Sequence, residues 1–305
     1  MEGVERLLRI ASDMGRLFHE NPHYEGSDFD WFCSCMDYGI GQKRLLSILH
    51  CEAKKSQNIL CFYENYLKAQ EKMKQIVRKP VAVPSAEDIK DEVSLSGKLS
   101  PSSRVRFGRR AAIEEKLKLA EDILAEPDLD VKAELLSTFA FRNENFPLSH
   151  NAIIEYSKAS HEKLRENAFE VLINCQSEEV RTYGFELLAN KINVTYAIEM
   201  LLCNYKAEDK QLLLDELYKI RADYKDESDW HGIGLHILSV QDQNVKLPKE
   251  FFFYIYETTL CSCCREYAVR DLAKRRWLTK EMIEECRYDS NNNISEYINR
   301  YYPVK

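Results

Sequence analysis

The sequence predicts an all-α protein assembled from stacked, antiparallel helix pairs. A nine-residue phrase recurs along it, first as Leu164-Arg165-Glu166-Asn167-Ala168-Phe169-Glu170-Val171-Leu172. It returns as Val180-Arg181-Thr182-Tyr183-Gly184-Phe185-Glu186-Leu187-Leu188, and again as Cys264-Arg265-Glu266-Tyr267-Ala268-Val269-Arg270-Asp271-Leu272. Gly (10) and Pro (8) are scarce in 305 residues, as helix interiors require. There is no long alternating run of β-branched residues to supply strands.

Three regions follow from the pattern. Residues 1–79 read as an N-terminal helical module. Glu5 to Phe18 carries Leu7, Leu8, Ile10 and Leu17 on a broad apolar face. A second segment, around Phe29–His50, is interrupted at Gly39-Ile40-Gly41. A third starts at Ser56, a suitable N-cap, and carries Ile59, Leu60, Tyr63, Tyr66, Leu67, Met73, Ile76 and Val77 until Pro80 ends it. Residues 80–108 turn rich in Ser, Pro and Gly, with sparse apolar residues, and read as a flexible linker. From 109 to 305, helical segments follow one another at about 110–125, 129–141, 148–158, 162–174, 178–190, 194–203, 208–221, 228–239, 248–259, 263–276, 279–287 and 292–301. Ser177 and Thr279 stand where N-caps belong, and Pro248 sits in a first turn. Such short segments cannot bury their apolar faces alone, so they must stack.

The repeated phrase sets the spacing. Val131-Lys132 lies 33 residues before Leu164-Arg165, and Cys264-Arg265 lies 30 before Ile294-Ser295. Leu164 and Val180 are 16 apart, so consecutive helices both carry the pattern. Its small residues, Ala133, Ala168, Gly184 and Ala268, suit close approach of helix axes. Over 109–305 the chain resembles the HEAT and armadillo-like α-solenoids on these phrases, although the Asp-Pro usual before the Val-Arg is replaced by Ser177-Glu178-Glu179 and Ser262-Cys263. The resemblance implies a solenoid of stacked helix pairs. It also implies that Arg165, Arg181 and Arg265 form a structural repeat ladder.

The residues that could carry chemistry have structural explanations. Cys261 and Cys264 have the spacing of half a zinc site, with Cys286 further on, but no second pair faces them. They are expected to be buried structural thiols, with no metal and no cofactor. Cys33-Ser34-Cys35 has the wrong spacing for zinc or redox work. His231 and His236, five residues apart beside Asp229 and Trp230, do not share a helix face. Gly39-Ile40-Gly41-Gln42-Lys43-Arg44 lacks the P-loop pattern. With no catalytic constellation, an enzyme is not expected.

Charge separates the remaining function classes. The chain carries −7 overall, but the residues beyond 110 hold 25 Lys+Arg against 35 Asp+Glu, a net of −10. A nucleic-acid-binding solenoid is normally basic, so a protein or peptide partner is expected and the chain reads as an interaction scaffold or adaptor. Arg104, Arg106, Phe107, Arg109 and Arg110 are the candidate contacts in the linker, and Trp230, Arg270, Lys274 and Trp277 those in the solenoid. The alternative is a nucleic-acid-binding protein with the architecture of the DNA-alkylation-repair glycosylases. It would use the same basic linker and C-terminal patch for phosphates, and Trp230 and Trp277 for bases. No stretch approaches 18 consecutive apolar residues and the N-terminus has no signal-peptide core, so a cytoplasmic location off the membrane is expected.

Overall fold

The computed structural model describes residues 2–21, 41–75, 82–141, 145–223 and 227–303. Among these residues every α-helical or 3-10 segment is helix and none is strand; seventeen α-helices pack pairwise against their neighbours. The chain divides into two compact units, Met1–Val81 and Ala82–Lys305.

The first unit holds α1 (Glu2–Glu20), α2 (Gln42–Ala53) and α3 (Gln57–Gln75), with α3 packed on both others. Leu7, Ala11 and Phe18 meet Leu45, Leu49, Ile59, Phe62 and Tyr66 in its core. Ile10, expected on the apolar face, is instead largely exposed. Gly15 lets α1 lie directly on α3, because a side chain there would overlap the carbonyl of Asn58. Gly41, with φ of 84°, is the N-cap of α2. The expectations at Phe29, Cys33, Cys35, Gly39, Met73, Ile76 and Val77 lie outside the residues whose side chains are described.

The second unit begins with a correction. The segment 80–108, expected to be a flexible linker, forms α4 (Ala86–Ser96) and most of α5 (Pro101–Arg110). The residues read as linker punctuation are helix boundaries. Ser85 builds a capping box with Asp88, Gly97 closes α4 in the left-handed region, and Ser100 caps α5 with Pro101 in the first turn. The sparse apolar residues have helical spacing and are buried: Ala86, Ile89 and Val93 on one helix and Phe107 on the next, with the buried hydroxyl of Ser103 one turn before it.

There follow α6 (Ile113–Ala125), α7 (Leu129–Leu136) with a 3-10 turn at Ser137–Phe139, α8 (Asn151–Tyr156), α9 (Glu162–Leu172), α10 (Glu178–Asn190) and α11 (Val194–Cys203). Then come α12 (Lys210–Asp223), α13 (Glu227–Ser239), α14 (Lys249–Thr258), α15 (Ser262–Lys274), α16 (Lys280–Arg287) and α17 (Asn292–Tyr301). The caps expected at Ser177 and Thr279 accept hydrogen bonds from Val180 and Met282 backbone N–H groups. Two apolar cores run through this unit. One gathers residues from Ala86 to Met200, the other from Ile198 to Ile298, and α11 contributes to both.

Glycine marks the closest approaches. A Cβ on Gly184 would stand 3.1 Å from the Leu201 side chain, so α10 and α11 meet there. On α5, a Cβ on Gly108 would stand 2.5 Å from both the Thr138 carbonyl oxygen and the Phe141 ring. Helix propensity alone would make Gly108→Ala favourable by up to about 1 kcal/mol. The backbone clash reverses the sign, and the substitution is expected to destabilise by about 1–3 kcal/mol. Gly232→Ala on α13, where nothing lies within 4 Å, keeps the propensity gain. Urea-denaturation midpoints that move in opposite directions for the two variants would bear this out; equal shifts would refute it.

Candidate functional site

A surface rich in tyrosine and arginine lies between α15 and α17. On α17, Ile294 and Ile298 are buried one turn apart, which fixes the helix on the core and leaves Arg300 and Tyr301 exposed, with Tyr297 half-buried against the core's edge. On α15, Cys264, Ala268, Val269 and Leu272 face the core, and Arg270 and Lys274 flank that stripe. A cleft of about 200 Å³ is lined by Arg270, Asn293, Glu296, Tyr297, Arg300 and Tyr301. Beside it, a groove of about 690 Å³ adds Lys274, Arg276, Leu278 and Tyr302 to the shared tyrosines.

Its geometry is ordered by cation–ring contacts. The Arg270 guanidinium lies 4.8 Å from the Tyr297 ring centre while its Nη2 sits 2.8 Å from Glu266 Oε1. The Arg300 guanidinium lies 5.5 Å from the Tyr301 ring, and the two tyrosine rings are 4.7 Å apart. Burial and the neighbouring Tyr302 push the Tyr297 hydroxyl above the usual phenol range, so it stays a neutral hydrogen-bonding group. Lys274 is paired with Asp271 at 3.3 Å. The end of α15 directs the rim. Arg276 takes a left-handed conformation (φ 61°), Trp277 N–H donates to the Leu272 carbonyl at 2.8 Å, and Arg276 N–H donates to that of Ala273 at 3.0 Å. This turn sends Arg276 to the groove and packs Trp277, half-buried, near Phe252 and Arg275.

The other expected contact residues are distributed differently. Phe107 is fully buried against Phe139 and belongs to the first core, so it is not a contact residue. Around it, Arg106 Nη1 donates to the Ala82 carbonyl at 2.9 Å, and the Arg109 guanidinium lies 5.9 Å from the Phe141 ring. Arg104 is half-buried and Arg110 exposed. These arginines sit on α5, which packs into the first core, whereas Arg270, Lys274 and Trp277 belong with the second. The Trp230 side chain lies outside the described residues. Sequence reading missed Tyr297, Arg300 and Tyr301. Their signal was present, since two tyrosines one helical turn apart with an adjacent arginine mark an outward face when Ile294 and Ile298 mark the inward one.

A second charged groove, of about 520 Å³, lies along α8 and α10 with Glu155, Glu178, Glu179 and Glu186 among its walls. No protein-family model matches this chain, nor does any curated protein or solved structure. The reading of its surfaces therefore rests on their own geometry. Among the described residues, no helix is long and apolar enough to cross a membrane.

The cysteines regroup. Cys286 is not grouped with Cys261 and Cys264, and its Sγ contacts the Tyr256 hydroxyl at 3.7 Å. His236 is buried, with Nε2 2.9 Å from the Glu199 carbonyl oxygen. His231 instead reaches across from α13, so that Nδ1 lies 3.5 Å from Cys264 Sγ and joins Cys261 in a cluster of potential metal donors.

The three recurrent arginines serve two local purposes. Arg181 on α10 reaches the turn that opens α12, with Nη2 2.7 and 2.9 Å from the two Asp209 carboxylate oxygens. Arg265 on α15 reaches the turn before α17, with Nε 3.1 Å from Asp289 and Nη2 2.9 Å from Glu285. Arg165 differs, because its Nη1 donates to the Ala159 carbonyl at 3.1 Å in the preceding turn. Arg181 and Asp209 are both nearly withdrawn from solvent, at 12% and 4% side-chain exposure. Removing one partner leaves a buried charge without its counter-ion. Asp209→Asn is thus expected to cost about 3 kcal/mol in urea unfolding, whereas Lys158→Gln, which breaks an exposed pair with Glu155, should cost under about 1 kcal/mol. Similar losses for both would count against the structural role of the Arg181 pair.

Proposed function

We propose that the chain is a non-enzymatic, HEAT-like helical repeat protein that acts as an interaction scaffold and docks an acidic segment of a partner protein in the α15–α17 cleft. The solenoid part of this reading draws support from the contact order. Helices two apart touch along the series α7, α9, α11, α13, α15 and α17, while α8 touches α10 and α12 touches α14. A two-layer stack of helix pairs would give this order, which supports the reading. The pairs begin at Asn151, Glu178, Lys210, Lys249 and Lys280, at the intervals of short helical repeats.

The single observation that carries the binding role is the cleft itself. Tyr and Arg are the residue types in which binding energy concentrates, and here they are held apart and oriented by ring contacts before any partner arrives. Arg276 and Arg300 make no ion pair with a carboxylate among the described residues, so an incoming Asp or Glu meets cations with capacity to spare. The acidic balance of the rest of the repeat region works against a polyanion laid along the whole protein. The same Arg–Tyr chemistry favours one second reading, a short single strand of nucleic acid stacked on Tyr301.

Selection of peptides from a displayed library on the full-length protein distinguishes the readings. Enriched sequences are expected to carry Asp or Glu beside an aromatic residue. Tyr301→Ala is expected to weaken their binding about thirtyfold, the loss of roughly 2 kcal/mol that defines a hot spot. Failure to enrich any peptide sensitive to Tyr301→Ala, together with salt-dependent oligonucleotide binding that this variant abolishes, would replace the protein-partner reading with the nucleic-acid one.

A further inference from the structure

We propose that His231, Cys261 and Cys264 form a binding site for a thiophilic divalent cation, zinc(II) above all, with three protein ligands and a fourth position open to solvent. The site lies at the opposite end of α15 from those of its residues that line the α15–α17 cleft. It starts from a sequence feature that is incomplete by itself, the pair Cys261-Ser262-Cys263-Cys264. Folding completes it. Cys261 is the N-cap of α15 and Cys264 lies in its first turn, so the helix brings both thiols to one end. α13 packs against α15 and delivers His231 to the same place. Among the described residues, this is the one group of three His, Cys, Asp or Glu side chains close enough to share an ion, with all ligand atoms within 4.8 Å of one another.

The distances fit the chemistry. Zinc–thiolate and zinc–imidazole bonds of about 2.3 and 2.0–2.1 Å, at a tetrahedral angle, place S and N about 3.6 Å apart and two S atoms about 3.8 Å apart. Cys264 Sγ and His231 Nδ1 already stand 3.5 Å apart. The remaining edges can be at most 4.8 Å, so a side-chain adjustment of about an ångström or less closes the triangle. Two thiolates and a neutral imidazole balance a 2+ ion, so the bound site carries no net charge beside the core. Both thiols lose their protons on binding.

Burial is graded in a way that a purely structural thiol would not need. Cys264 is fully buried, Cys261 half-buried and His231 exposed, which gives the ion a path from solvent and a fixed inner wall. The contrast with the other buried cysteines is instructive. Cys175 and Cys203 have thiols pushed up to about 12 by burial, and their hydrogen bonds go to the Val171 carbonyl and to Gln243. They are packing groups. The competing account of the cluster is a simple Cys264–His231 hydrogen bond with no ion.

Titration of the reduced, chelator-stripped full-length protein with cobalt(II), used as a spectroscopic stand-in for zinc, decides between them. One equivalent is expected to produce the intense d–d absorption of tetrahedral cobalt together with thiolate-to-cobalt charge transfer, and one equivalent of zinc should bleach both. Cys261→Ser and His231→Asn, at accessible positions where the fold can be checked by circular dichroism, should each weaken binding at least about tenfold. Cys286→Ser and Cys263→Ser should leave the spectrum unchanged. Weak, octahedral-type absorption from the wild type, or a tetrahedral spectrum that survives Cys261→Ser, overturns the site. Loss of the spectrum in Cys263→Ser would equally overturn the three-ligand assignment.

Discussion

The second unit depends on one helix that is buried on every side over most of its length. In α11, every residue from Ala197 to Cys203 is buried, and the two apolar cores meet on it. Ala197 and Met200 face the first core, while Ile198, Leu201 and Leu202 face the second. A helix buried on every side is stable only when neighbours surround it. α9, α10, α12 and α13 supply that enclosure, and the absence of a side chain at Gly184 lets α10 come within contact of Leu201. The polar groups that cannot be avoided are satisfied at its edges. Tyr196 stacks on Phe169 at 4.8 Å and donates its hydroxyl to Glu170 at 3.3 Å, and the Glu199 carbonyl accepts from His236.

Around this helix, alternate helices are tied by groups in their connecting turns. Asn204 donates to the Cys175 carbonyl at 2.8 Å and accepts from Ser177 N–H at 2.8 Å, so the turn after α11 is fastened to the turn before α10. Asn167 on α9 donates to the Ala133 carbonyl of α7, and Asn291 before α17 donates to the Ser262 carbonyl of α15. Arg181 and Arg265 add ion pairs across the same kind of step. Apolar burial supplies most of the attraction between helices but little direction. These directional bonds, most of them in the turns, set the register at which alternate helices meet. Arg165, which serves its own preceding turn, shows that the phrase in the sequence and the bond in the structure can part company.

Sequence periodicity was sufficient to locate the twelve segments from 110 onwards, because each alternates an apolar stripe with a cap or turn residue. It failed over 80–108 for a physical reason. Ser85, Gly97, Ser100 and Pro101 act at the ends of two short helices, and read together they resemble the composition of a flexible tether. Phe107 was misplaced with them, since an aromatic among arginines looks like a contact surface until its helix is seen to turn it inwards against Phe139. The α15–α17 cleft was half legible. Arg270 and Lys274 stand out as charge, but the tyrosines that shape the cleft come from α17, and no local pattern states which helix lies opposite. The metal cluster was least legible, because His231 precedes Cys264 by 33 residues and only the packing of α13 on α15 unites them.

That packing gives α15 a double task. Its first turn carries Cys264, which is at once a core residue and a neighbour of His231; its last turn ends in the left-handed Arg276 that opens the groove. Thirteen residues of helix, about 20 Å, separate the two ends, and Ala268, Val269 and Leu272 hold the intervening stretch in the core. A rigid helix transmits a displacement at one end to the other, because a packed core resists local deformation. An ion held by His231, Cys261 and Cys264 would bind α13 to the start of α15 by coordinate bonds, beside the Cys264–His231 contact already there. One helix thus carries both features, the donor cluster at its first turn and the Arg270, Lys274 and Arg276 side of the cleft towards its end.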